Sequence, residues 1–231
     1  MKRAGIWLRR ILLVLIALVV LYQLWLFGWV MYWKWSNPDM TSFMEIRLVE
    51  LRKKQPQAQL QKQWVPLERI SPSLRRAIIA AEDGKFATHN GFDWDGIQKA
   101  MQRNEKKGRF VAGGSTITQQ LAKNLFLTPT RSIFRKAEEA VVTVMIETFW
   151  DKRRILEVYL NVIEWGNGVF GAEAAARRYY GVSAAQLGPE QAAHLAGMVP
   201  APRFYDRNRN TPGLAKKTAT ILARMPSVEL P

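Results

Sequence analysis

Two carboxylates and a group of cations are the residues best suited to chemistry in this chain. Glu82 comes four residues after Ile78 and eight after Leu74, at the end of an apolar stripe that also holds Ala77 and Ala81. Helical spacing then puts it on or beside a buried face, where lost hydration raises a carboxyl pKa toward the range of a general base. Asp83 points about 100° away and suits a structural role. The same position of Glu82 also suits an ordinary helix-end ion pair. Further on, Arg131, Arg135 and Glu139 stand at i, i+4 and i+8, flanked by Lys136 and Glu138. Cations around one carboxylate could hold a phosphate or a metal-bound diphosphate, and a solvated face with i,i+4 pairs is the plainer alternative. Between the two groups runs Gly-Gly-Ser-Thr-Ile-Thr-Gln-Gln-Leu-Ala-Lys-Asn from Gly113 to Asn124. Its glycines allow close backbone approach, and Ser115, Thr116, Thr118, Gln119 and Gln120 offer hydrogen bonds to a sugar or phosphate. It lacks the G-x-x-x-x-G-K-[ST] spacing of a nucleotide-binding loop.

Composition narrows the chemistry further. The 231 residues include no Cys and only two His, His89 and His194. Disulfide scaffolds, thiolate metal sites, thiol nucleophiles and multi-His metal sites are therefore excluded. Lys and Arg number 34 against 19 Asp and Glu, for a net charge of +15. Such a field suits nucleic acid, anionic lipid or a phosphorylated substrate. Lys2, Arg3, Arg9, Arg10 and Lys34 precede Ser36 with no acid among them, yet the other 29 basic residues still outnumber the acids.

These groups need elements to position them. Residues 1–10 form a basic N-terminus, and residues 11–33 are apolar but for Gln23 and long enough to cross a bilayer. Trp29, Tyr32, Trp33 and Trp35 crowd one end, as rings do at an interface. No A-x-A cleavage site follows, which favours an anchor over a signal peptide. The positive flank places the N-terminus in the cytoplasm and the rest outside, and that weakens a nucleic-acid role. Residues 34–64 read as a juxtamembrane connector in which Met44, Leu48 and Leu51 keep helical spacing, and residues 65–231 read as the main domain. In that domain Ser71-Pro72 starts a helix, and Arg131 to about Trp150 forms a long one. Asp151 caps a third helix that stops at Gly166, and Gly171–Tyr180 is a short helix closed by Gly181. A capping box at Ser183–Gln186 precedes a helix over Pro189–Met198, and Thr211-Pro212 opens the last, to about Arg224. Asn104–Gly114 reads as a mobile loop. Strand-like alternation is scarce, so the fold is mainly α.

At this point the motifs themselves resemble a known family. Ala80–Trp94 (AAEDGKFATHNGFDW), Gly113–Asn124, Arg131–Ala140 (RSIFRKAEEA) and Ile155–Asn161 with Trp165, Gly166 and Gly168–Gly181 resemble, in order, four signatures of the peptidoglycan glycosyltransferases, glycosyltransferase family 51. The likeness covers roughly residues 65 to 205 and points to the monofunctional kind, without a transpeptidase domain. It implies a lysozyme-like glycosyltransferase domain with a membrane-proximal lobe, preceded by a single transmembrane helix. It also implies polymerisation of lipid II into β-1,4-linked glycan strands with release of undecaprenyl diphosphate, at the bacterial inner membrane with the catalytic domain in the periplasm. Carried over by motif position, Glu82 is the general base and Glu139 the second essential carboxylate. Lys123, Arg131 and Lys136 match diphosphate-binding cations, and Ser115, Gln119 and Asn124 match positions in the substrate cleft. A divalent cation, Mg²⁺ or Mn²⁺, is implied at the diphosphate, with no organic cofactor. The implied partners are lipid II, the growing lipid-linked glycan chain, the membrane and other cell-wall synthesis proteins, with no nucleic acid. His89, Glu157, Asn161 and Glu173 are read as structural, and Tyr159 and Tyr180 as core. Two rivals stay open on the residues alone: a lysozyme-like lytic enzyme, which needs no diphosphate cations, and a non-catalytic wall-synthesis scaffold, which tolerates loss of Glu82.

Overall fold

The computed structural model describes residues 2–108, 113–130 and 132–231. Two compact units are present, residues 1–37 and residues 38–231. The first is a single helix, α1 (Lys2–Trp33). Its apolar stretch Arg9–Trp33 is long enough to cross a membrane, at about 37 Å against a hydrocarbon core of about 30 Å. Aromatic rings gather at its C-terminal end, where Trp29 lies 5.7 Å from Tyr32 and 5.0 Å from Trp33.

The second unit is mainly helical: α2 (Ser42–Arg52), α3 (Pro72–Glu82), α4 (Trp94–Lys107), α5 (Ile117–Phe126), α6 (Ile133–Phe149), α7 (Lys152–Val162), α8 (Ala172–Tyr180), α9 (Pro189–Met198), α10 (Pro202–Arg207) and α11 (Pro212–Arg224). The starts follow from capping residues legible in the sequence. Ser71 Oγ accepts from Leu74 N at 3.1 Å, Asp151 Oδ1 from Arg154 N at 2.7 Å, and Thr211 Oγ1 from Leu214 N at 3.3 Å. Helices α3, α9 and α11 pack on one another, and α5 packs on α2, α6 and α7. The interior is built from apolar helix faces: Leu74, Ala77 and Ile78 of α3, as the sequence spacing predicts, together with Leu156, Tyr159 and Leu160 of α7 and Leu121 and Leu125 of α5, are all buried.

Three expectations change. Asn104–Lys107 are not a loop but the last turn of α4, which Asp93 caps through Gly96 N at 3.0 Å. Gly108 closes that helix at φ +58°, a conformation in which glycine avoids the Cβ penalty. The remaining loop positions 109–112 lie outside the described residues. The long helix begins at Ile133 rather than Arg131, because Ser132 takes the N-cap and accepts from Arg135 N at 3.1 Å; Arg131 also lies outside the described residues. Gly166 does not stop α7. That helix ends at Val162, and Gly166 closes a short strand instead, where a Cβ would meet Tyr179 Oη at 1.9 Å.

The strand belongs to a small sheet that alternation could not reveal, because its members are two or three residues long: β1 (Gln61–Lys62), β2 (Glu164–Gly166) and β3 (Val169–Phe170), ordered β1-β3-β2. β1 pairs parallel with β3, and β2 antiparallel with β3. Segment 38–64 thus contributes both α2 and β1 to the second unit. Within it, Arg47 of α2 donates to Glu164 of β2 at 3.0 Å, and both side chains are buried.

Several large apolar side chains remain uncovered on α4 and α6. Ile133 and Phe134 are each 87% exposed, and Trp94, Met101 and Val144 are exposed as well.

Candidate active site

Helix α5 organises the site. Asp83, just past the end of α3, accepts from Ile117 N at 3.0 Å with one oxygen and contacts His89 Nε2 at 2.8 Å with the other. Thr116 and Gln119 complete the anchor as a capping box: Thr116 Oγ1 accepts from Gln119 N at 3.2 Å, and Gln119 Oε1 accepts from Thr116 N at 3.0 Å. Asp83 and His89 are therefore structural, as expected. Gln119 is buried and occupied by the cap, so its carboxamide is turned away from the cleft that it was expected to serve.

Anchored in this way, α5 presents Gln120, Lys123 and Asn124 on one face, at i, i+3 and i+4. They line a cleft of about 820 Å³ together with Arg47 of α2 and Glu164 of β2. Asn124 Nδ2 donates to Gln120 O at 2.7 Å. The Lys123 ammonium has no hydrogen bond or ion pair among the described residues. Burial pulls its pKa below the ordinary lysine value, Glu139 opposes that shift, and Arg135 and Lys136 add to it. An under-neutralised cation in a cleft is a place for an anion.

Glu82 ends α3 half-buried and lines two further cavities. One, of about 270 Å³, is shared with Gly113, Gly114 and Ser115; the other, of about 330 Å³, is shared with Lys216, Lys217 and Arg224 of α11. Gln120 Nε2 donates to Glu82 Oε2 at 2.8 Å, and Tyr159 Oη donates to Gln120 Oε1 at 2.9 Å. Burial raises the pKa of Glu82 above its usual value. The Gln120 hydrogen bond, Lys217 and Lys123 pull the other way, and Asp83 adds to the rise. A carboxylate made more basic by desolvation and open to a cavity can take a proton from a sugar hydroxyl.

Glu139 is buried on α6. Arg135 NH1 donates to its Oε2 at 2.7 Å, and Lys136 Nζ pairs with its Oε1. Lys136 Nζ also stands 3.5 Å from the exposed Ser115 Oγ, which links the glycine-rich segment to the α6 cations. Both Glu139 oxygens are taken by cations and Glu82 faces Gln120. No group of three or more acidic or His side chains able to hold a metal occurs among the described residues. This donor set does not fit a divalent cation held by the protein. The charge-neutralising groups that the chain itself supplies are its cationic side chains.

Tyr180, read as core, is instead only half-buried, with its hydroxyl 2.8 Å from His194 Nδ1; Asn161, Glu173 and Glu157 make contacts within the fold. Asn161 bridges Val65 and Glu157 through its amide, Glu173 accepts from Ala184 N at 2.7 Å, and Glu157 pairs with Arg154. Tyr159 is fully buried, yet its hydroxyl reaches within one residue of Glu82. Sequence reasoning missed Gln120 as the partner of Glu82, and the α11 cations beside it. The first was detectable: Thr116-x-x-Gln119 is itself a capping-box pattern, which assigns Gln119 to the cap and frees Gln120 for the cleft. The α11 cations carried no such signal, because more than 130 residues separate them from Glu82.

The chain is also similar in sequence to known proteins. The family model described as Transglycosylase matches residues 49–226. The chain is 71% identical over 231 residues to a biosynthetic peptidoglycan transglycosylase of Dechloromonas aromatica (strain RCB), covering 100% of both chains. It is 61% identical, again over the full length of both, to a protein of that name from Azoarcus sp. (strain BH72). Over 225 residues it is 59% identical to another from Nitrosospira multiformis, covering 97% of this chain and 98% of that one.

Proposed function

The chain belongs to the transglycosylase family and is a peptidoglycan glycosyltransferase of cell-wall synthesis, and on that premise we propose how its residues divide the work. The substrate is lipid II, and the donor is the growing lipid-linked glycan chain. The acceptor's 4-hydroxyl attacks the donor's anomeric carbon from the face opposite the diphosphate. A carbon–oxygen bond forms there with inversion, to a β-1,4 link. The bond to the diphosphate breaks, and its electron pair leaves with undecaprenyl diphosphate. Glu82 takes the hydroxyl proton. Lys123, Lys136 and Arg131 stabilise charge gathering on the leaving group, with Asn124 in the large cleft and Ser115 in the smaller cavity beside Glu82. Glu139 holds Arg135 and Lys136 in place through its two oxygens. A diphosphate needs no strong acid to depart, so the two carboxylates need not act as acid and nucleophile.

The observation that carries this reading is the position of Glu82: a desolvated carboxylate with Lys123 on one side and Lys216, Lys217 and Arg224 on another. Two lipid diphosphates must meet in this reaction, and a lytic hydrolase would need neither set of cations. We also propose that α1 spans the inner membrane with the N-terminus cytoplasmic and the catalytic unit periplasmic. The bare apolar side chains of α4 and α6 suit a lipid surface, where this substrate stays. The test is to incubate the purified full chain with labelled lipid II and separate the products by size. Polymer that disappears with Glu82→Gln supports the reading. Shortening of preformed glycan in place of polymer overturns it.

A further inference from the structure

We propose that Tyr159 is a positioning residue for the base: its hydroxyl fixes the Gln120 amide so that the NH₂ end, and not the carbonyl, faces Glu82. This inference rests on the reading of Glu82 as general base. The Tyr159 side chain is wholly buried on α7, and its hydroxyl lies 2.9 Å from Gln120 Oε1. Gln120 Nε2 lies 2.8 Å from Glu82 Oε2. A glutamine amide donates at one end and accepts at the other. Turned over, it would set its carbonyl oxygen against the carboxylate, an arrangement that is satisfied only when Glu82 is protonated. By donating to the carbonyl end, the tyrosine hydroxyl reinforces the orientation that serves the ionised base; the turned-over amide would have to use that hydroxyl as an acceptor instead.

The other groups around Glu82 are insensitive to this choice. Asp83 follows it in the chain, Lys123 acts from α5, and Lys217, Lys216 and Arg224 face it from α11. All of them persist when Tyr159 loses its oxygen, so a change in the base on that substitution reports the amide. The backbone of Gln120 is held separately, through the Asn124 side chain.

The sign follows from the hydrogen bond. A donor facing Glu82 favours its charged form, so loss of that orientation raises its pKa. The acid limb of the pH–rate profile then moves to higher pH, because the base must be ionised to work. The experiment measures kcat/KM for lipid II against pH in the full-length protein, in the parent, Tyr159→Phe, Gln120→Ala and the double variant, each with its melting temperature. Tyr159→Phe is expected to move the acid limb up by about 0.5 to 1 pH unit, a loss of roughly threefold to tenfold on that limb, with KM on the plateau within about twofold. Added to Gln120→Ala, it is expected to move the limb no further. An unmoved limb, an equal shift with and without Gln120, or failure of Tyr159→Phe to fold overturns the proposal. The last result would make the hydroxyl a determinant of the fold. Glu82→Gln separates the two layers of the argument. If it keeps turnover, the reading of the base falls; if it is inactive while the Tyr159→Phe limb stays put, only the positioning role falls.

Discussion

Replacing Lys123 with Ala should move activity and stability in different directions, and that makes it the sharpest test of the cleft. Lys123 is part-buried on α5, beside Gln120 and Asn124, with no hydrogen bond or ion pair among the described residues. Burial is the main reason its pKa lies below the ordinary value. A folded-state lysine pKa that is depressed costs stability at neutral pH, and the cost fades only as pH rises through the ordinary lysine range. Removing the ammonium should leave the melting temperature unchanged or slightly higher. Catalysis should respond the other way. A unit charge about 4 Å from a developing charge is worth about 4 kcal/mol at an effective dielectric constant near 20, and roughly half of that if the leaving group gains only part of its charge in the transition state. Loss of a preorganised donor costs a similar amount, about 3–4 kcal/mol. Turnover of labelled lipid II should therefore fall about 30- to 900-fold. Exposed Arg52 of α2, which among the described residues reaches only Ala58 O at 3.3 Å, supplies the control, and Arg52→Ala should stay close to parental. Equal turnover in the two variants, or a clear drop in melting temperature for Lys123→Ala, would refute the reasoning.

Glu82→Gln should lower polymerisation by about 10²- to 10⁴-fold with no loss of melting temperature, since it keeps shape and removes a desolvated charge. In the parent, burial of Glu82 should place the acid limb of the pH–rate profile above 4.5, the value of an unperturbed glutamate. Arg47→Ala should destabilise the second unit by about 3–5 kcal/mol, read by thermal or denaturant unfolding, because it strands Glu164 buried without its partner. A reporter fused after Pro231 should be active only outside the cytoplasm, and joint neutralisation of Lys2, Arg3, Arg9 and Arg10 should blur that orientation.

Much of the framework was legible because it depends on neighbours in sequence. An apolar run of bilayer length, the caps at Ser71, Asp151 and Thr211, and the stripe that ends at Glu82 each rest on spacings of a few residues. Period and capping chemistry are enough to read such features. The missed helix α4 shows the limit. Its start at Asp93 and stop at Gly108 are both cap residues, but charged side chains dominate between them, and Ile97, Ala100 and Met101 form only a thin apolar stripe.

What the sequence by itself determined was the family, an apolar stretch of bilayer length, the helical class and the candidate site residues. Those are properties of local order, and four motifs in series carry them. What only the tertiary structure decided was which of those residues face one another. Gln119 and Gln120 are adjacent and chemically identical, yet one is turned inward to cap a helix and the other meets Glu82. Tyr159 looked like core and is core, but its one polar atom lands on that same glutamine. Arg47 belonged to an apparent connector and proves to be buried against Glu164, 117 residues away. The cations of α11 come to Glu82 because α11 and α3 pack together. Pairings of this kind depend on the directions in which packed helices aim their side chains, and no short window of sequence holds that information.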